Sequence, residues 1–178
     1  FIPEQNHGCA SLIINESFFK ESLEMRRLLL RGMDALITNV PGYCVCVTTA
    51  DCVPVLLYDK KQHVVAAVHA GWKGTVKHIV SHVMDHLNKM FGTQGEDVIA
   101  CIGPSISLES FEVGDEVYDA FEESGFDMSL ISMKKKETGK YHIDLWEANR
   151  IELLNLGVPA EQIEVAGICT YIHHDEFF

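Results

Sequence analysis

Short apolar runs of strand length recur along the chain, at 12–14, 35–37, 43–47, 55–58, 64–68, 98–102 and 163–168. They are rich in β-branched residues and bounded by Gly, Pro, Asn or Asp, which predicts strands. Helical periodicity fills several of the gaps. Thr75 can cap a helix running to about residue 90, with Ile79, Val80, Val83, Met84 and Leu87 on one face. Segments 113–121 and 145–156 read as two more, the second ended by Gly157 and Pro159, and 18–30 as a fourth. The connections from 43 to 58 and from 55 to 68 are too short for parallel crossovers. The pattern therefore predicts a single α/β domain with a mixed β-sheet and flanking helices.

Composition narrows the class. With 178 residues, 47% of them hydrophobic and 22% charged, the chain can bury a sizeable core. The net charge of −12 argues against nucleic acid as a partner, since no stripe of Lys and Arg offsets it. Lys134-Lys135-Lys136 reads as a solvated loop. Six cysteines without a CxxC pair read as buried free thiols in a reducing compartment, with Cys44 and Cys46 on one face of a strand. No stretch is apolar enough to span a bilayer and none resembles a signal peptide, so the expectation is a cytoplasmic protein. A small-molecule substrate is the expected partner, and the chain a monomer or homodimer.

The chemistry concentrates in Thr49-Ala50-Asp51-Cys52-Val53-Pro54-Val55 and Val68-His69-Ala70-Gly71-Trp72-Lys73-Gly74-Thr75. Cys52 follows a polar turn and precedes Pro54, which fixes the backbone. Its bland alternative is a buried hydrophobe. His69 ends an apolar strand and opens into a Gly-flanked turn, the usual place for a site in an α/β sheet. His7, in Gln5-Asn6-His7-Gly8, can join them or can be a surface residue. One thiolate and two imidazoles suit zinc with a vacant fourth position, the arrangement of a catalytic metal. Asp51 is a candidate for proton transfer or for supporting the ligands, and Lys73 for holding phosphate. Ser105, in a Gly-Pro turn at a strand end, is a candidate substrate contact. His78, His82 and His86 flank an apolar stripe and read as a solvent-facing row, while His173-His174 is ambiguous.

Assembled, these residues resemble the YfiH or laccase-domain family, known also as polyphenol oxidases and as purine nucleoside phosphorylases. The resemblance is carried by Gln5-Asn6-His7-Gly8, Asp34-Ala35-Leu36-Ile37-Thr38-Asn39 with Pro41-Gly42, and the two segments above. Further on it includes Cys101-Ile102-Gly103-Pro104-Ser105-Ile106, Phe111-Glu112-Val113-Gly114, Asp144-Leu145 with Asn149-Arg150, and Cys169-Thr170 with Phe177-Phe178. It implies that His7, Cys52 and His69 ligate zinc, and that the reaction is cleavage or deamination of purine nucleosides. In bacteria it also implies a link to peptidoglycan precursor fidelity. Lys73 stands where the family usually has Arg, which keeps the charge but loses a bidentate fork. Set beside the family, the sequence is expected to lack its N-terminal segment, with an Arg and paired glycines, before Phe1 and its basic tail after Phe178.

Three other readings stay open. A copper-dependent polyphenol oxidase would want paired His-x-His elements, which the chain lacks, and a blue-copper site would want an axial Met near its ligands. A metal-free cysteine hydrolase would use His69 to activate Cys52. A binding module would use the metal for stability alone.

Overall fold

The computed structural model describes residues 1–177. Among the described residues there are nine strands and seven α-helices. Six strands form one mixed sheet: β1 (Ser11–Ile13), β2 (Ala35–Thr38), β3 (Val53–Asp59), β4 (Val64–Ala70), β5 (Val98–Ile102) and β9 (Ile163–Val165). Their order is β1-β2-β4-β3-β5-β9. The outer pairs β1/β2 and β5/β9 are parallel, and the interior pairs are antiparallel. The expected mixed sheet in a single α/β domain is present, and β3 and β4 form the hairpin that their short connection demanded.

One sheet face is covered completely. Val53, Val55 and Leu57 of β3, Ala66 and Val68 of β4, and Val98, Ala100 and Ile102 of β5 alternate inward. They pack under α4 (Ile79–Phe91), α5 (Asp115–Glu123) and α7 (Leu145–Asn155). Ile79, Val80, Val83, Met84 and Leu87 form the buried stripe of α4 that periodicity predicts. The opposite face is covered over β1, β2 and β4 by α1 (Glu16–Lys20) and α2 (Leu23–Leu29), through Phe18, Phe19 and Leu29. Over β3 and β5 it is open: Leu56 is 53% exposed, beside Tyr58, Val65 and Ile99. No described helix is long and apolar enough to cross a membrane.

The structure corrects several local expectations. Segment 43–47 joins no ladder; it crosses the second sheet face, where Val45 packs near Leu36 and Ala67. Its alternation is real, but among the described residues its backbone partner is Phe1 alone, which donates its N-terminal amine to the Cys44 carbonyl at 2.6 Å and accepts from Cys46 N at 2.9 Å, rather than a strand edge. The helix predicted over 75–90 is two, α3 (Trp72–Val76) and α4, because His78 takes a left-handed backbone (φ 56°) that interrupts the ladder. Its ring is held there between Glu152 Oε1 at 3.2 Å and the Ser124 carbonyl at 3.0 Å. The 18–30 helix likewise divides at Glu21-Ser22, where the Ser22 hydroxyl caps α2. Residues 163–168 shorten to β9. A second, three-stranded sheet of β6 (Glu112–Val113), β7 (Ser132–Lys134) and β8 (Tyr141–Ile143) has strands too short for a period-two signal. The thiols are free, yet only Cys169 is buried and Cys44 is exposed.

Candidate metal centre

Strand register builds the centre. Val53 of β3 lies opposite Ala70 of β4, so Cys52 comes to the turn at Gly71, beside His69. The approach is tight: a Cβ on Gly71 would sit 2.8 Å from Cys52 Sγ and 3.3 Å from His7 Cδ2. Any side chain there would fill the space into which the sulfur and the ring project. His7 arrives from the N-terminal loop in a left-handed conformation (φ 61°), its ring centroid 4.7 Å from that of His69 at 78°. The donor atoms of His7, Cys52 and His69 all lie within 4.8 Å of one another. Among the described residues this is the single group of three or more His, Cys, Asp or Glu side chains close enough to hold an ion. Exposure rises across it, from buried His69 through half-buried Cys52 to exposed His7, so the centre is open on one side.

Asp34 ties the centre together. It sits one residue before β2 with no exposed surface, and its Oδ1 lies 2.8 Å from His69 Nδ1. A carboxylate only accepts, so Nδ1 carries the proton and Nε2 is left as the donor atom for a cation. The same carboxylate accepts from the backbone N–H of His7 at 2.9 Å, Gly8 at 2.7 Å and Asn6 at 3.4 Å. A buried charge with no partner costs several kcal/mol; four donors supply what water would. The His69 N–H completes the clasp by donating to the Asp34 carbonyl at 2.7 Å. A second clasp holds the other loop: Gln5 Oε1 accepts from Thr48 N at 2.8 Å, and Gln5 Nε2 donates to Thr48 O at 2.8 Å. Burial, followed by the Asp51 and Asp34 carboxylates, pushes the Cys52 thiol above its ordinary value. A divalent cation at the sulfur reverses that balance.

The remaining sequence candidates make contacts of their own, outside the three-donor cluster. Asp51 is exposed, and its Oδ1 accepts from Thr170 Oγ1 at 3.0 Å rather than from an imidazole. It lines a recess of about 600 Å³ with Ser110, Thr170, Tyr171, Ile172 and His174. Lys73 is exposed at the start of α3, its Nζ 5.5 Å from the Trp72 ring centroid. Ser105 has no exposed surface; its hydroxyl accepts from the Trp146 indole N–H, and its backbone pairs with Ile168 and Thr170. His82 is exposed, whereas His86 is bonded to Ser11 at 2.8 Å and His78 to Glu152. The chain reading missed the role of Asp34. Its signal was an acid leading a strand whose four residues are all apolar or Thr, a place where a charge needs a buried purpose.

The donor set, its proton-fixed imidazole and the space left by Gly71 fit a tetrahedral cation with one open position. The whole chain, residues 1–178, matches the family described as multi-copper polyphenol oxidoreductase laccase. The chain belongs to that family. Among its laccase-family relatives is a purine nucleoside phosphorylase of Bacteroides thetaiotaomicron, 61% identical over 177 residues, 99% of this chain and 66% of the relative. An adenosine deaminase from an unknown prokaryotic organism is 40% identical over the same span, 67% of its own length. Two solved structures share the fold: a Bacillus licheniformis hypothetical protein YfiH and YlmD of Geobacillus stearothermophilus. Each has a TM-score of 0.87 at 30% identity, covering 99% of this chain and 66% of the other. The chain thus spans about two thirds of the length of the curated relatives it matches.

Proposed function

We propose that the protein is a zinc-dependent purine nucleoside enzyme, carrying out phosphorolysis of adenosine, inosine or methylthioadenosine and deamination of adenosine. The observation that carries this reading is the His7–Cys52–His69 cluster with Asp34 on its buried imidazole, in a chain similar to relatives named for both reactions. Zinc held by these three residues would supply Lewis acidity toward a water or substrate oxygen at its open position. Asp34 keeps His69 in the tautomer that presents Nε2, and grips the loop that presents His7. Exposed Lys73 offers a charge to phosphate near the Gly71 turn. Asp51 holds a solvent-accessible carboxylate one residue from Cys52, where a proton can be exchanged with the reacting nucleoside. Ser105 acts through the loop it anchors: its carbonyl accepts from the Thr170 amide, and the Thr170 hydroxyl holds Asp51.

The test is product identification after incubating zinc-loaded protein with adenosine, inosine and methylthioadenosine, with and without phosphate. Free base with ribose 1-phosphate, or with 5-methylthioribose 1-phosphate from methylthioadenosine, marks phosphorolysis, and inosine from adenosine marks deamination. His69→Ala is expected to lose bound zinc and all turnover while keeping the fold by circular dichroism. Turnover that survives in zinc-free variant protein would remove the metal from the reaction. Copper is the second reading, favoured by the family description and by a His₂Cys donor set. Metal analysis of protein purified without added copper separates the two. Activity that persists in chelator would instead favour Cys52 and His69 as a metal-free nucleophile and base.

A further inference from the structure

Outside the metal centre, two thiols stand in contact. Cys44 Sγ and Cys46 Sγ are 3.6 Å apart, and neither is bonded to another cysteine. The arrangement follows from the residue between them. Val45 is turned into the second hydrophobic cluster, at 9% exposure, so its two neighbours are thrown to the same outward side. Cys44 is exposed and Cys46 half-buried. Cys44 also borders an apolar groove of about 400 Å³ over the open half of the sheet, together with Tyr43, Leu56, Tyr58 and Cys101. A small reagent thus has a path to the sulfur. The segment belongs to no ladder and, among the described residues, its two cysteines are tied by backbone bonds to Phe1 alone, so only that contact must shift as the sulfurs close to a bond of about 2.05 Å.

We propose that Cys44 and Cys46 form a redox-active dithiol, a modification site for two-electron oxidants of the peroxide or small-molecule disulfide class. With peroxide, the Cys44 thiolate attacks one oxygen, the O–O bond breaks, and Cys44 becomes a sulfenic acid as water leaves. Cys46 then attacks that sulfur; the S–O bond breaks, a second water leaves and the disulfide forms. Two thiols are oxidised and one peroxide is reduced to two waters. With a small disulfide, Cys44 displaces one thiol to give a mixed disulfide and Cys46 displaces the second. The hydrogen bond with Cys44, then burial, raises the Cys46 thiol, which fits it for the second step rather than the first. Closure is felt nearby: Thr48, two residues beyond Cys46, clasps Gln5, two residues before His7. This last connection rests on the reading of His7 as a metal ligand.

Zinc-loaded protein is treated with one equivalent of hydrogen peroxide, or with oxidised glutathione, then alkylated, digested and sequenced by mass spectrometry. The expected result is a 44–46 crosslink with a loss of about 2 Da, reversed by dithiothreitol. Cys44→Ser removes it, and Cys46→Ser leaves a glutathione mixed disulfide on Cys44. Separate alkylation of both residues, or pairing of either with Cys52 or Cys101, overturns the proposal. Zinc affinity is then compared in oxidised and reduced protein, after confirming that the reduced form binds zinc. A several-fold weakening is expected, and an unchanged affinity overturns the transmission to the His7 loop.

Discussion

At the scale of single residues, Asp34 and Gly71 decide whether three donors become one centre. Asp34→Asn keeps the shape but removes the charge that fixes His69 and forces an amide among four donors. Loss of such an outer partner typically costs about 10–100-fold in metal affinity. That range is expected for zinc, measured by competition against a chromophoric chelator; unaltered affinity would assign Asp34 to folding alone. Gly71→Ala acts by volume. Its new Cβ would sit 2.8 Å from Cys52 Sγ, so the sulfur or the turn must move. The variant is expected to retain under a tenth of the zinc per chain after dialysis, with the fold intact by circular dichroism. Full zinc occupancy would show that the turn relaxes without cost to the centre.

At the scale of elements, the division between α3 and α4 carries a measurable charge. Glu152 of α7 is 5% exposed; its Oε1 meets His78 at the left-handed break, and its Oε2 has no partner. Burial pushes this carboxyl above the ordinary value, with Ser81 and His78 pulling the other way. A carboxyl raised by folding is ionised at a cost to the folded state. Its contribution to stability is therefore most favourable below its unfolded value and falls as pH rises through the folded one. Glu152→Gln lacks that ionisation. Its melting temperature relative to the parent is expected to improve from about pH 4 to about pH 8, followed by thermal melts across the range. A difference that moves the opposite way would mean that the His78 contact outweighs burial.

At the scale of the molecule, an ion bound at the centre would act as a staple. It would join the loop of residues 5–8 to the start of β3 and the end of β4, segments 45 and 62 positions apart in the chain by residue number from His7 to Cys52 and His69. A ligand present at 100 times its Kd stabilises by about 2.7 kcal/mol. A domain of this size shifts by roughly 2–4 °C per kcal/mol, so chelation is expected to lower the melting temperature by about 5–10 °C. Hydrogen exchange should rise most in residues 4–8. A melting temperature indifferent to chelator would leave the three donors without a structural ion.

The chain itself specified the strands of the β3/β4 hairpin and the apolar stripe of α4, because period-two and period-3.6 burial are local properties of sequence. It also specified the residue types of the centre, since a Cys in a polar turn and a His at a strand end are unusual enough to stand out. The tertiary structure decided the rest. Segment 43–47 alternates like a strand but has no edge to join. The 75–90 pattern breaks at His78 because Glu152, 74 positions on, holds its ring. Asp34 became the hub of the centre only when β2 was laid beside β4. Which carboxylate meets which imidazole is set by pairing register across distant residues, and no local period records it.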